Sequence, residues 1–337
     1  MSVQATICTV LTPAHLELAV LNRRLVERLN PTATVSWRAT FNPEVREAGE
    51  RSSPDGPSAG DLAEAAKRLP GVHLQLGPTL AETFEQVLSG LPANDDPAEQ
   101  RRLLAKYLGS YHHAAGLALA LKGARTRYAI ILDPDFYVLR RNWVDDILAE
   151  MDARKLALFG APWSPRWYQK YRNFPSTHLM VIDLEQCPWA SGALQPDLVG
   201  GGRRFASELW ARLASASPAQ RPAARKAILA KPLRAIREDL RQRASIGSAR
   251  DTGYNLLRAF RRHPDLKLSL LQPVFACDDG FMPDAVSAWQ CHPLVEAVLP
   301  PRWRYLPHRG YFCREGFAAL ALPSVRELGW EEFLWKS

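Results

Sequence analysis

Asp133 and Asp135 stand two residues apart at the end of an unbroken apolar run, in RYAIILDPDFYVLRRNW (127–143). In an extended chain residues i and i+2 project to the same side. The two carboxylates would therefore face one way where the strand ends. Like charges so placed repel unless a cation neutralises them. A hard divalent ion, Mg²⁺ or Mn²⁺, answers that need, particularly where diphosphate oxygens complete its shell. Such an ion offsets the charge that builds on a diphosphate leaving group. The other reading of the same three residues is a plain Asp-Pro-Asp turn, since both residue types are ordinary turn formers.

Two further clusters carry side chains suited to a site. His112 and His113 are adjacent on an expected helix, so they diverge by about 100° and cannot readily share one metal. One is expected to pack and the other to face a pocket. Trp163, Trp167 and Tyr168 in APWSPRWYQKYRNF are either a stacking surface for a sugar or an aromatic loop packed on the core.

The elements around the paired carboxylates read as alternating strands and helices. QATICTVL (4–11) is an opening strand, and Thr12-Pro13 starts a helix through about Leu29. ATVSWRATF (33–41) is a second strand, followed by a loop to Gly60 and a helix near 61–68. GVHLQL (71–76) is a third strand. A helical region spans 97–123, interrupted near Gly109. YAIIL (128–132) is the next strand and NWVDDILAEM (142–151) the next helix. Strands recur at LALFGA (156–161) and HLMVIDL (178–184). This alternation predicts an α/β sandwich with a largely parallel sheet. Both faces of such a sheet are buried, which explains the uninterrupted apolar strand before Asp133. Ligands bind at the carboxyl edge of open α/β sheets, where both aspartates fall. The second half reads as more helical, with helices at 203–215, in the basic stretch, at 251–263 and near 323–335. No convincing linker divides the chain.

SYHHAAGLALALKGARTRYAIILDPDFYVLRRNWVDDIL (110–148) and the opening ICTVLTPAH…LNRRLVERL resemble the GT-A glycosyltransferases, close to the family-2-type group. The similarity covers roughly residues 5–185. The resemblance implies a three-layer, Rossmann-like sandwich in a single domain. Residues 1–185 would be its nucleotide-sugar-binding core, and 186–337 the acceptor-side, helical part. It implies that Asp133 and Asp135 bind the metal and the donor's diphosphate, and that Thr12 and Asn42 lie among the donor-binding residues. Several such enzymes add a late histidine to the metal, and His308 in YLPHRGYF fits that place; a surface histidine is the other reading. The family's base is an Asp or Glu at a helix start, which ARDTGYNLLRAF (249–260) offers as Asp251. Asp251 is also an ordinary helix cap, and Asp278 and Asp279 in ACDDGF are rival bases. The usual adjacent Glu-Asp pair is absent at 251, so the anomeric outcome stays open.

Composition narrows the partners. The chain has 337 residues, 47% of them hydrophobic, enough for a large core. Cys8, Cys187, Cys277, Cys291 and Cys313 are widely spaced without a CxxC pair, which reads as reduced, packed thiols in a cytoplasmic protein. Residues 1–20 lack the pattern of a secretion signal. The formal net charge is +8. RPAARKAILAKPLRAIREDLRQR (221–243) holds eight Lys or Arg against Glu238 and Asp239, so it supplies most of the excess. Its apolar residues repeat at helical intervals. Two readings follow: an ordinary surface helix, or a peripheral contact with an anionic membrane that brings a lipid-linked acceptor into reach. No nucleic-acid motif accompanies the charge.

The expected activity is metal-dependent transfer of a sugar from a nucleotide-diphosphate donor to a glycan or lipid-linked glycan. A phosphatase that uses DxD after a strand wants Thr or Val where Tyr137 stands. A nucleotidyltransferase wants a Gly-rich phosphate loop, and LTPAHLE has no glycine. A carbohydrate-binding pseudo-transferase that kept the fold is the non-enzymatic alternative.

Overall fold

The computed structural model describes residues 3–42, 59–90, 97–134, 136–138, 141–161, 174–197, 251–271, 273–274, 311–313 and 317–320. In chain order its elements are β1 (Ala5–Leu11), α1 (Leu16–Leu29), β2 (Val35–Phe41), α2 (Ala59–Arg68), β3 (Val72–Leu76), α3 (Leu80–Gly90), α4 (Pro97–Lys122), β4 (Tyr128–Leu132) and β5 (Tyr137–Val138). Then come α5 (Trp143–Arg154), β6 (Leu156–Gly160), β7 (Leu179–Asp183), α6 (Tyr254–Phe260), β8 (Lys267–Leu270), β9 (Pro273–Val274), β10 (Tyr311–Cys313) and β11 (Phe317–Leu320). Among the described residues seven strands form one sheet in the order β3-β2-β1-β4-β7-β6-β8, and four short ones form a second in the order β5-β11-β10-β9.

The large sheet is α/β and mainly parallel, as expected. Strand β7 runs antiparallel to both its neighbours, β4 and β6. The sequence does not reveal this reversal, because a strand buried on both faces is apolar throughout whichever way it runs. Alternate residues of β4 pack on opposite faces. Tyr128, Ile130 and Leu132 join Leu21 and Leu25 of α1 and Trp143 and Ile147 of α5. Ala129 and Ile131 join Ala114, Leu117 and Leu121 of α4 and Leu257 of α6. The result is a sheet between two helical layers, each large buried side chain contributing roughly 1.5–3 kcal/mol. At the amino end of β4, Arg127 bonds Asp183 at 2.8 Å and Asp152 at 2.9 Å, tying β4 to β7 and α5. Burial alone would raise the Asp183 pKa, but the Arg127 guanidinium holds it below the usual carboxylate range.

Three elements differ from the sequence expectation. Helix α3 lies in a stretch for which no element was expected, and a reciprocal cap opens it: Thr79 N donates to Glu82 at 2.7 Å and Glu82 N to Thr79 Oγ1 at 3.1 Å. Helix α4 runs unbroken through Gly109. A mid-helix glycine costs about 1 kcal/mol against alanine, and here Leu104 and Tyr111 on either side are buried against Phe84, Val87 and Leu88 of α3. Beyond residue 260, strands β8 to β11 appear where helix was expected to dominate. The helix read as 251–263 is the shorter α6. The expected helices at 203–215, 221–243 and 323–335 lie outside the described residues, as do Cys277 and Cys291. Cys8 and Cys187 are buried free thiols. Among the described residues no helix is long and apolar enough to cross a membrane.

Candidate active site

Strand β4 delivers Asp133 to the carboxyl edge of the sheet, beside the end of β1. Asp133 N donates to His178 O at 3.1 Å, one step past the Leu132–Leu179 pair. Phe136 N donates to Asp133 O at 3.1 Å and closes the Asp-Pro-Asp turn. From α1, buried Asn22 donates through Nδ2 to the carbonyl oxygens of Asp133 at 3.1 Å and Phe136 at 3.0 Å. The backbone turns, and the Asp133 side chain faces two imidazoles: His113 Nε2 lies 3.5 Å from Oδ1 and His178 Nε2 lies 3.7 Å from Oδ2. The His178 ring stacks on Phe136, with centroids 5.2 Å apart and planes at 19°.

The tandem histidines of α4 separate as helical geometry requires. His112 is buried, and its Nδ1 lies 2.9 Å from Thr83 Oγ1 on α3. That hydroxyl gives its one proton to Thr79 O at 3.0 Å, so it accepts from His112 Nδ1–H. Burial, and then the neighbouring His113, push the His112 pKa down to about 4. His113 is the partly exposed member. Its Nδ1 lies 3.2 Å from Thr252 Oγ1.

Asp251, half-buried, leads into α6 without capping it. The cap position is Gly253, in the left-handed region at φ 88°, with no side-chain cap bond. The loop is instead docked through its neighbours. Thr252 Oγ1 donates to Ser110 O on α4 at 2.9 Å, and Gly253 N donates to Leu194 O at 2.7 Å. Arg258 of α6 pairs with buried Asp197 at 3.3 Å. The structure therefore brings Asp133, His113 and the Asp251 loop together on one side of α4.

Thr12 and Asn42 directly follow β1 and β2 at the same sheet edge. The Thr12 hydroxyl lies 3.3 Å from His15 Nδ1. Asn42 is buried and donates from Nδ2 to His112 O at 3.0 Å. A Cβ at Gly77 would fall 1.9 Å from Asn42 Oδ1, and one at Gly116 would fall 2.9 Å from Nδ2. Both glycines allow this close approach, and Asn42 sets the seat of α4.

Asp135, Asp278, Asp279, His308, the aromatic loop with Trp163, Trp167 and Tyr168, and the basic stretch 221–243 lie outside the described residues. Among the described residues no group of three or more His, Cys, Asp or Glu is arranged to hold a metal ion. What they offer a divalent ion is the Asp133 carboxylate, with His113 Nε2 the nearest imidazole nitrogen at 3.5 Å from Oδ1. That donor set suits Mn²⁺, provided the ion takes its remaining ligands from a diphosphate. His178, Thr252 and Asn22 were not singled out in the sequence. His178 had a signal: it precedes an apolar strand as Asp133 follows one, but only antiparallel pairing makes them neighbours.

The chain is similar to solved glycosyltransferases. It matches the galactosyltransferase LgtC, solved with donor and acceptor sugar analogues, at 16% identity and a TM-score of 0.32, over 54% of this chain and 59% of that one. Mouse xyloside xylosyltransferase 1 matches at 10% identity and 0.36, over 80% and 86%. A Pyrobaculum calidifontis mannosyltransferase, solved with GDP-Man and Mn²⁺, matches at 12% and 0.32, over 55% and 46%. The chain thus spans about three fifths of LgtC and under half of the mannosyltransferase. At such scores the likeness carries no weight on activity. No family model and no curated protein matches the chain.

Proposed function

We propose that this chain is a glycosyltransferase that uses a nucleotide-diphosphate sugar and a divalent ion, Mn²⁺ or Mg²⁺, with a glycan or lipid-linked glycan as acceptor. The observation that carries the proposal is the placement of Asp133. A fully buried strand ends in this carboxylate at the sheet's carboxyl edge, and the loop bearing Asp251 is tied to the same helix that faces it. A ligand seated at that edge would meet the Asp133 carboxylate near the loop that carries Asp251.

Asp133, with Asp135 following in sequence, would hold the ion, which when bound screens charge on the departing diphosphate. His308 is the further ligand. It precedes β10 by three residues, and β10 pairs through β11 with β5, so Tyr311 stands level with Val138 just after the Asp-Pro-Asp turn. Asp251 would take the proton from the acceptor hydroxyl, with Asp278 and Asp279 as rivals for that role. Thr12 and Asn42 belong to the donor side: Thr12 as a contact, and buried Asn42 as the residue that sets the position of α4. The charge of 221–243 supports a peripheral contact with an anionic membrane.

The test is a thermal-shift screen of nucleotide sugars with and without MnCl₂, because a selective donor stabilises the folded state by mass action, about 2.7 kcal/mol at a hundred times its Kd. The reading requires one nucleotide family to raise the midpoint only with metal. It also requires metal-dependent turnover of that donor, which chelation abolishes. Donor binding without any turnover, with or without acceptor, would favour the pseudo-transferase.

A further inference from the structure

The hydroxyl of Thr252 settles which nitrogen of His113 carries a proton. Thr252 Oγ1 donates to the Ser110 carbonyl at 2.9 Å. A carbonyl only accepts, so the hydroxyl's single proton is spent there. Toward His113 Nδ1, 3.2 Å away, the same oxygen can then only accept, and Nδ1 must carry the hydrogen. In the neutral ring Nε2 is bare. That bare nitrogen faces Asp133 Oδ1 at 3.5 Å. The separation is beyond ordinary N–H···O length, and a ring nitrogen and a carboxylate oxygen so placed are two donors for one cation. The paired histidine supports the same logic in a buried setting: Thr83 fixes His112 by an identical chain of donors to a carbonyl.

We infer that His113 Nε2 is a metal ligand alongside Asp133, an inference that rests on the metal-dependent transferase reading. Thr252 is the outer partner that fixes the ring's tautomer and direction, as hydrogen-bonded partners do for metal-bound histidines generally. One imidazole then joins the ion to the loop that presents Asp251, so occupancy of the metal site and position of the base are mechanically linked. The donor set becomes a carboxylate and an imidazole nitrogen, which favours Mn²⁺ over the all-oxygen preference of Mg²⁺.

The experiment adds MnCl₂ to the full chain, with and without UDP or GDP, and reads nitrogen coupling to the bound Mn²⁺ by pulsed electron paramagnetic resonance. The parent should show a directly bound nitrogen. His113→Gln should lose one directly bound nitrogen, leaving only coupling from His178 or His308, and bind Mn²⁺ about tenfold or more weakly. Mn²⁺ bound without nitrogen coupling, or coupling in His113→Gln equal in depth to the parent's, overturns the inference and leaves the transferase reading standing. Absence of Mn²⁺ binding even with nucleotide overturns that reading, and the inference with it. A second measurement needs no substitution: nitrogen-15 NMR of the metal-free parent should find a proton on His113 Nδ1. An Nδ1 without a proton contradicts the inference.

Discussion

Thr252, the neighbour of Asp251, lies 3.2 Å from the His113 ring, whose other nitrogen faces Asp133. The loop of the candidate base and the candidate diphosphate-side carboxylate therefore meet at the same side chain. Asp251→Asn should keep donor and Mn²⁺ affinity within a factor of two to three, roughly, and lower kcat by about 10² to 10⁴, the usual contribution of a positioned base. Donor titration and initial rates on the same preparation check this. A fall in donor affinity with kcat kept would assign Asp251 to binding instead.

Asn22 closes two backbone acceptors of the Asp-Pro-Asp turn from another element. Asn22→Leu leaves the Asp133 and Phe136 carbonyls buried without that donor. It should cost roughly 1–3 kcal/mol in denaturant unfolding and weaken Mn²⁺ binding, because the turn that aims Asp133 loosens. Unchanged midpoint and metal affinity would show that the turn holds itself.

The glycines before and at the end of α3 differ sharply in what they tolerate. Gly77→Ala drives a methyl against Asn42 Oδ1 and should destabilise the fold by about 1–3 kcal/mol. Gly90→Ala, where nothing lies within 4 Å, should be neutral or stabilising by up to about 1 kcal/mol. Thermal unfolding of the two variants side by side reads the contrast, and equal midpoints would contradict the packing described for Asn42.

His112 makes stability fall in mild acid. Its pKa drops from 6.5 unfolded to about 4 folded, so below pH 6.5 the unfolded chain binds the extra proton and unfolding is favoured. The contribution is fully present above pH 6.5 and is lost as pH falls toward 4, up to roughly 3 kcal/mol. Unfolding curves of metal-free protein between pH 7 and 4 should slope less for His112→Gln than for the parent. Parallel slopes would mean that His112 protonates freely in the fold.

Much of the scaffold of this site was legible in the sequence, because burial on both faces writes a strand plainly. YAIIL announces β4, and with it Asp133 at a carboxyl edge. The separation of His112 from His113 follows from the helix turn alone. Helix α3 went unread, although Thr79 and Glu82 stand at cap-box spacing before it. The reversal of β7 was not legible, since direction leaves no trace in a run of buried residues. Nor was the second sheet, whose strands of two to four residues are too short to show a period. The meeting of Asp133, His113, His178 and Thr252 depends on pairing across distant segments, which residue spacing cannot carry.

The central claim is that the Asp133 carboxylate holds a divalent ion against a nucleotide's diphosphate. Isothermal titration of UDP- and GDP-sugars into the parent and Asp133→Ala, each with MnCl₂ and with chelator, tests it most directly. The account predicts binding by the parent that needs Mn²⁺ and is lost, by about a hundredfold or more in Kd, in a folded Asp133→Ala variant. Metal-dependent binding that persists unchanged in that variant would contradict it.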